Sequence, residues 1–528
     1  MAISSDSTTV LTGSTGTRHP DDIAFSSKCT KQNICYSIVV IVFTTGVVMG
    51  ILEGSLQTPT PNIDRLAWDG IILNRHYTHP VCSPTRSALL TGKYAFQVGI
   101  SNPSSPGEPY GIPLQFKLLP QYLKDLNYNT YMLGKLAPEV NRSGRNLYEN
   151  GLQVAESCTN NHYLPHMLTE KFEQIVHNNG AEHSKPFFVY FASPLPKANS
   201  EANGTYRVNR QFVMPQYLSR PSVRAMDNEH FGRKQQMGQI QALDEQVKRI
   251  KEALECKGVL NKTIIIFMSD NGAAPMVLPT IHVNHGSNWP LRMFRGSPFE
   301  GGVRNLAFIW SKLLKKKGIV TDQLFHVADW LPTLYEAAGG NVSDLPNLTG
   351  ISQWTSLKEG TKKGDRTELV ALINPVRNVF GFVYQEPGSG TLYKIVGGPG
   401  SSHITGWYKT EGTNATLKMV NPTSVSVNCG HPEGIERTVC QPWLADCLFD
   451  LTNDPCELNN IAAAKPEMVN LMKNKVVSYN ATAYPSVRQP YDPTSNPELF
   501  QNWWTPWQDP EPVRKASSCL PFQSSFSL

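Results

Sequence analysis

At 528 residues with 40% apolar side chains, the chain can build a large core with a second, smaller lobe, and it is too apolar for a disordered or fibrous protein. Its formal net charge of +5 is scattered over both signs, leaving no basic stripe, so no nucleic-acid partner is expected.

Residues 1–33 are polar and rich in Ser and Thr, without the apolar stretch of a signal peptide, and read as a disordered leader. The next segment, Ile34 to Leu52 (ICYSIVVIVFTTGVVMGIL), admits two readings. As a helix it would span roughly 28 Å, enough for a bilayer core, with Lys28 and Lys31 holding the N-terminus in the cytosol. As a strand, the β-branched run Ile38-Val39-Val40-Ile41-Val42 suits the centre of a parallel sheet.

Pro80 to Gly92 (PVCSPTRSALLTG) sets Cys82 two residues before Pro84 and four before Arg86, at the head of a short apolar helix. Lys185 to Phe191 reads as a strand. Met237 to Leu254 puts Ile240, Leu243, Val247, Ile250 and Leu254 on one face of a helix. Thr263 to Met268 is a second strand, and Asp270-Asn271-Gly272 follow it. A carboxylate and an amide therefore stand at a strand's C-terminal end, where open α/β sheets place their sites. Strands alternating with helices predict a mostly parallel sheet covered on both faces. His282 and His285 read as exposed loop histidines.

From about residue 388 the texture changes to short segments rich in Gly, Thr and Cys, so 34–387 reads as the main domain, 388–510 as a small antiparallel lobe and 511–528 as a tail. Cys429, Cys440, Cys447 and Cys456 lie close together without a His pair at zinc spacing and predict two local disulfides. Sequons at Asn141, Asn203, Asn261, Asn341, Asn347, Asn414 and Asn480 are glycosylation candidates and suit an oxidising secretory route. Trp503, Trp504 and Trp507 could stack on a sugar or close the lobe.

The Cys82-to-Gly92 run closely resembles the sulfatase signature CxPxR, and Pro59-Thr60-Pro61-Asn62-Ile63-Asp64 falls into the family's register without a gap. Asn288 to Arg292, Glu300 to Arg304, Asp329 to Leu334 and Leu448 to Asp450 resemble the arylsulfatase B-like branch, the N-acetylgalactosamine-4-sulfatases. The resemblance covers about 38–510 and favours the strand reading of Ile38 to Val42. It implies an alkaline-phosphatase-like α/β sulfatase fold and a sulfuric ester hydrolase acting on sulfated glycosaminoglycan or a small aryl sulfate. Together with the sequons it implies the lysosomal or secretory lumen, and the helix reading of residues 34–52 would add a membrane anchor.

The same resemblance implies that a formylglycine-generating enzyme converts Cys82 to formylglycine, that Arg86 and Lys135 contact it, and that Arg295 binds sulfate. One calcium ion is implied at Asp270, Asn271 and the modified Cys82. The chain departs from the pattern at six places, two of them Arg295 for a lysine and Leu136 for a tryptophan. Phe43 and Thr44 stand where the family has an aspartate pair, Ala137 and Lys197 where it has histidines. Loss of two carboxylates predicts a weakly held cation. Lys197 keeps a charge for sulfate, yet with a reference pKa of about 10.4 it is a poor proton donor. A degenerate sulfatase that binds sulfated glycan with little turnover is the alternative.

Overall fold

Ser37–Phe43 is a strand (β1), and it is placed near the middle of a seven-stranded sheet. The structure is a computed structural model. It describes residues 8–10, 37–43, 58–103, 107–134, 147–149, 152–154, 162–179, 185–196, 199–200, 206–207, 213–226, 231–275, 285–361, 364–401, 405–407, 429 and 439–500.

The other strands of this sheet are Ile71–Leu73 (β2), Asn129–Gly134 (β3), Phe187–Ser193 (β4), Thr263–Ser269 (β5), Ala307–Ser311 (β6) and Ile319–Thr321 (β7). Their order is β7-β2-β6-β5-β1-β4-β3. Only β6 runs against the rest. β1 pairs in parallel with β5 from Ser37 opposite Thr263 to Phe43 opposite Ser269, and on its other side Phe43 lies opposite Ser193 of β4.

The period-two alternation of a strand explains why β1 is apolar throughout. Val39 and Ile41 join the core on one face, with the helices Pro61–Trp68 (α1), Leu164–Asn179 (α3) and Phe231–Cys256 (α4). Ile38 and Val40 join the other, under Cys82–Thr91 (α2) and Trp330–Ala337 (α5). Ile38 to Ile41 are at most 1% exposed, and their burial contributes roughly 6–10 kcal/mol, an upper figure. A bilayer would bury the same side chains as well, but holding them there would open the edges of β4 and β5. The membrane reading of Ile34 to Leu52 is thereby corrected. No helix among the described residues is long and apolar enough to cross a membrane. Residues 34–36 and 44–52 lie outside the described residues.

The predicted face of α4 is the buried one, Ile240, Leu243, Val247, Ile250 and Leu254 all being at most 1% exposed. The smaller lobe is an antiparallel sheet of Glu368–Asn374 (β8), Val379–Gln385 (β9), Leu392–Gly397 (β10) and Cys447–Asp450 (β11), backed by Pro466–Asn480 (α6). It starts at Glu368, upstream of the change in texture at 388, because β8 and β9 are as apolar as core strands of the main sheet. Cys440–Cys447 nests inside Cys429–Cys456. The leader is not wholly without structure: the β-branched Thr8–Val10 pairs in parallel with Leu147–Glu149. Asn261, Asn341, Asn347 and Asn480 are exposed; Asn141, Asn203, Asn414 and Trp503, Trp504 and Trp507 lie outside the described residues. His285 is half-buried against α4 rather than exposed, its carbonyl accepting a bond from Arg233 at 2.8 Å.

Beneath α2 lies a buried cluster of His76, His79 and His326, the last two with ring centroids 5.2 Å apart. Each uses a ring nitrogen as an acceptor, His76 from the Trp330 indole, His79 from Ala95 N and His326 from Ala328 N. Burial holds them neutral, pushing His76 down to about 3, His79 to about 4 and His326 well below its ordinary value. A histidine that is neutral when folded and titrates near 6.5 when unfolded loses stability as pH falls below 6.5, about 2 kcal/mol each between pH 7 and 5. Burial raises two carboxyls, Asp64 and Glu457, to about 7. Their contribution has the opposite sign and returns about 2 kcal/mol each over the same range. His285, likewise pushed down to about 4 by burial and by Arg233, makes four histidines against two carboxyls, so stability is expected to fall as pH drops from 7 to 4. Thermal midpoints measured from pH 7.5 to 4 check this, and a midpoint that climbs towards pH 4 refutes it.

Candidate active site

Val81 is extended (φ −142°, ψ 154°) and delivers the chain into α2, whose first residue is Cys82. The Thr85 hydroxyl, 3.0 Å from His79 O and 3.1 Å from Val81 O, pins that entry. Gly92 ends the helix at φ 66°, donating its N–H to Ala88 O, a left-handed stop that glycine takes without strain. All ten residues of α2 are buried. Cys82 and Arg86, one turn apart, share a helix face.

At the C-terminal edge of the sheet, β5 delivers Asp270 and Asn271 beside the end of β1. Arg86 donates from Nε at 3.2 Å and Nη2 at 2.9 Å, both to Asp270 Oδ2, and the pair is 3% and 0% exposed. Burial works against the Arg86 cation; the surrounding acidic groups Tyr190, Asp270 and Cys82 more than offset it and hold its pKa above the ordinary value. From a third direction Arg295 Nη2 comes within 3.7 Å of Cys82 Sγ. Its loop is fixed by Arg295 N to Ala273 O at 3.1 Å and by Gly296 N to Pro80 O at 2.8 Å. The Asn288 amide clamps Ala273, accepting from its N–H at 2.7 Å and donating to its carbonyl at 3.0 Å.

Residues distant in sequence, Cys82, Arg86, Asp270, Asn271 and Arg295, thus meet at one place. Lys135, Lys197, Thr44 and Ala137 lie outside the described residues, and of Phe43 only the backbone is described. Tyr190 of β4 was not anticipated from sequence. It is 2% exposed, its hydroxyl has no hydrogen-bond partner among the described residues, and burial raises its pKa while Arg86 opposes the rise. Its signal is alternation alone: it shares a sheet face with Phe188 and Ala192, the face that α2 covers.

A family model described as Sulfatase matches residues 37–340. The chain belongs to the sulfatase family. It is 28% identical over 497 residues to arylsulfatase J of Mus musculus, covering 88% of this chain and 78% of that protein. It is 26% identical over 500 residues to arylsulfatase A of Homo sapiens, covering 82% and 86%. Among solved structures, Ps i-CgsB in complex with k-i-k-neocarrahexaose superposes with a TM-score of 0.63 at 19% identity, covering 89% of this chain and 97% of that one. The large mostly parallel sheet with its small antiparallel lobe is therefore the sulfatase fold, of the alkaline-phosphatase-like kind.

Sulfatases generally use formylglycine and calcium, and the two requirements fare differently here. Cys82 is buried, outside any disulfide, and at a helix start within the signature, which fits conversion. Calcium takes six to eight oxygen ligands and depends on their charge. Among the described residues no group of three His, Cys, Asp or Glu side chains converges to hold a metal. Asp270 Oδ2 already accepts both Arg86 bonds. Asn271 Oδ1 is buried without a partner among the described residues, but it is neutral. The described residues do not fit a tightly bound calcium ion.

Proposed function

We propose that the chain takes a sulfate monoester with its sulfur towards Cys82 and its oxygens between Arg86 and Arg295, as an arylsulfatase-type sulfuric ester hydrolase. The supporting observation is the bracketing of one buried cysteine by two guanidiniums, one on its own helix face and one 3.7 Å from its sulfur. Formylglycine at position 82 supplies a hydrated aldehyde as nucleophile and a route for expelling sulfate. Arg86, held in place by Asp270, presents a fixed fork to the charge that develops on the sulfate oxygens. Arg295 fixes the sulfur against position 82, and Lys135 and Lys197 add positive charge. Lys197 leaves the departing alcohol without a well-matched proton donor.

The names of the relatives, arylsulfatases J and A and the N-acetylgalactosamine-6-sulfatase of Homo sapiens, favour an aryl sulfate or a sulfated glycosaminoglycan as substrate. The exposed sequons and the nested disulfides favour a secretory or lysosomal lumen. A second reading, binding of sulfated glycan with little turnover, is favoured by one observation: one of the two Asp270 oxygens open to a catalytic cation is committed to Arg86.

Peptide mass spectrometry of the chain from a secretory host is expected to find Cys82 as formylglycine, since the run from Cys82 to Gly92 is intact. Unmodified thiol, in a host that converts a control sulfatase, would sink the hydrolase reading. A chromogenic aryl sulfate assay on the converted protein then separates hydrolase from binder.

A further inference from the structure

We propose that Arg86 takes the place of a divalent cation at this site, so that the chain binds a sulfate monoester without a metal ion. The inference rests on the reading of the site as a sulfate pocket.

Both Arg86 bonds, at 3.2 and 2.9 Å, fall on Asp270 Oδ2, so a metal ion would be left only the other oxygen of that carboxylate, beside a guanidinium of its own charge sign. Arg86 is 3% exposed, so the two like charges would face each other with little screening by water. The charge balance agrees. Arg86 and Arg295 against Asp270 leave a net positive charge among the described site residues, to which Lys135 and Lys197 add in the proposed pocket, the sign that suits a sulfate monoester. A dication added there would raise that excess further.

The groups left over suit an anion better than a cation. The buried Tyr190 hydroxyl is a donor without a partner among the described residues. Asn271 Oδ1 is an acceptor without one, yet a lone neutral amide cannot restore the ligand charge on which hard-cation affinity depends. An arginine offers directed N–H donors at a fixed spacing, which a spherical ion does not.

The test is calorimetric titration of the full chain with methyl sulfate, a monoanion, once in calcium chloride and once in EGTA, with thermal melts in calcium alone. Dissociation constants agreeing within about twofold, and no rise of the melting midpoint with calcium, are expected, because a ligand that does not bind the native state does not stabilise it. Weakening by about tenfold or more in EGTA would overturn the proposal. No methyl sulfate binding in either buffer would instead overturn the reading on which it rests. Asp270→Asn gives a second readout of opposite sign. If Asp270 serves Arg86, removing its charge tightens methyl sulfate binding several-fold; if it serves a metal, binding in calcium is lost. Should that variant not fold, the comparison of buffers on the unaltered chain decides alone.

Discussion

A variant carrying Phe43→Asp, Thr44→Asp, Ala137→His and Lys197→His is expected to hydrolyse an aryl sulfate at least about 10²-fold faster than the chain as it stands, since a positioned proton donor alone is worth roughly 10²- to 10⁴-fold. A histidine with a reference pKa of about 6.5 passes a proton to a leaving alcohol near neutrality far more readily than a lysine at about 10.4. The two aspartates act on the other half of the problem. Phe43 is the last residue of β1, opposite Ser269, so an aspartate there starts beside Asp270 at the same sheet edge. Two further carboxylates would outweigh Arg86 and give a hard cation the ligand charge it lacks. The variant's rate should therefore become EGTA-sensitive while methyl sulfate binding by the unaltered chain does not. The measurements are kcat and kcat/KM on a chromogenic sulfate with and without EGTA. Equal rates for the two proteins would show that these four positions do not carry the defect.

What was legible in the sequence was short-range. Cys82 and Arg86 are one helical turn apart, and Asp270-Asn271 follow a β-branched run, so both halves of the site could be placed on their elements. The β-branched density of Ile38 to Val42 pointed to a central strand, although composition alone could not separate it from a membrane helix; pairing with β4 and β5 decides that. What escaped is long-range pairing. Arg86 and Asp270 are 184 positions apart, and no local pattern says that the carboxylate goes to an arginine rather than to a metal. Tyr190 looks like any other aromatic in an apolar strand. The histidine cluster joins positions 76, 79 and 326, and His285 turned inward because α4, which holds its carbonyl, is far off in the chain. Lys394, a charged residue between Tyr393 and Ile395 of β10, is 0% exposed, and nothing local in the sequence announces it.

Lys394→Ala is expected to be the most destabilising single change in the smaller lobe, by about 3–5 kcal/mol, the usual cost of breaking a buried ion pair from one side. Its ammonium lies 2.8 Å from Glu300 and 2.9 Å from Glu457, both 0% exposed, and Glu457 also accepts from Glu300 N at 2.8 Å. Removing the lysine leaves Glu457 without its cation in a dry interior and Glu300 with only the Tyr77 hydroxyl at 3.0 Å and Arg304 at 3.7 Å, where the total stability of a domain is only about 5–15 kcal/mol. The consequence reaches the sulfate pocket. Glu300 opens the turn whose Gly302 O accepts from Gly272 N at 3.1 Å, directly after Asn271, and a side chain at Gly272 would meet Gly301 O at 1.9 Å. The same turn is held by Gly301 N to Arg292 O at 2.7 Å, on the segment leading to Arg295. Loosening it should weaken methyl sulfate binding along with lowering the melting midpoint. Burial already pushes Glu457 up to about 7, so in the variant protonation relieves the stranded charge as pH falls. The gap between the two melting midpoints should then narrow from pH 8 to pH 5.5. A gap that is absent at pH 8, or that widens on acidification, would mean that Lys394 does not hold the Glu457 carboxylate in its charged form.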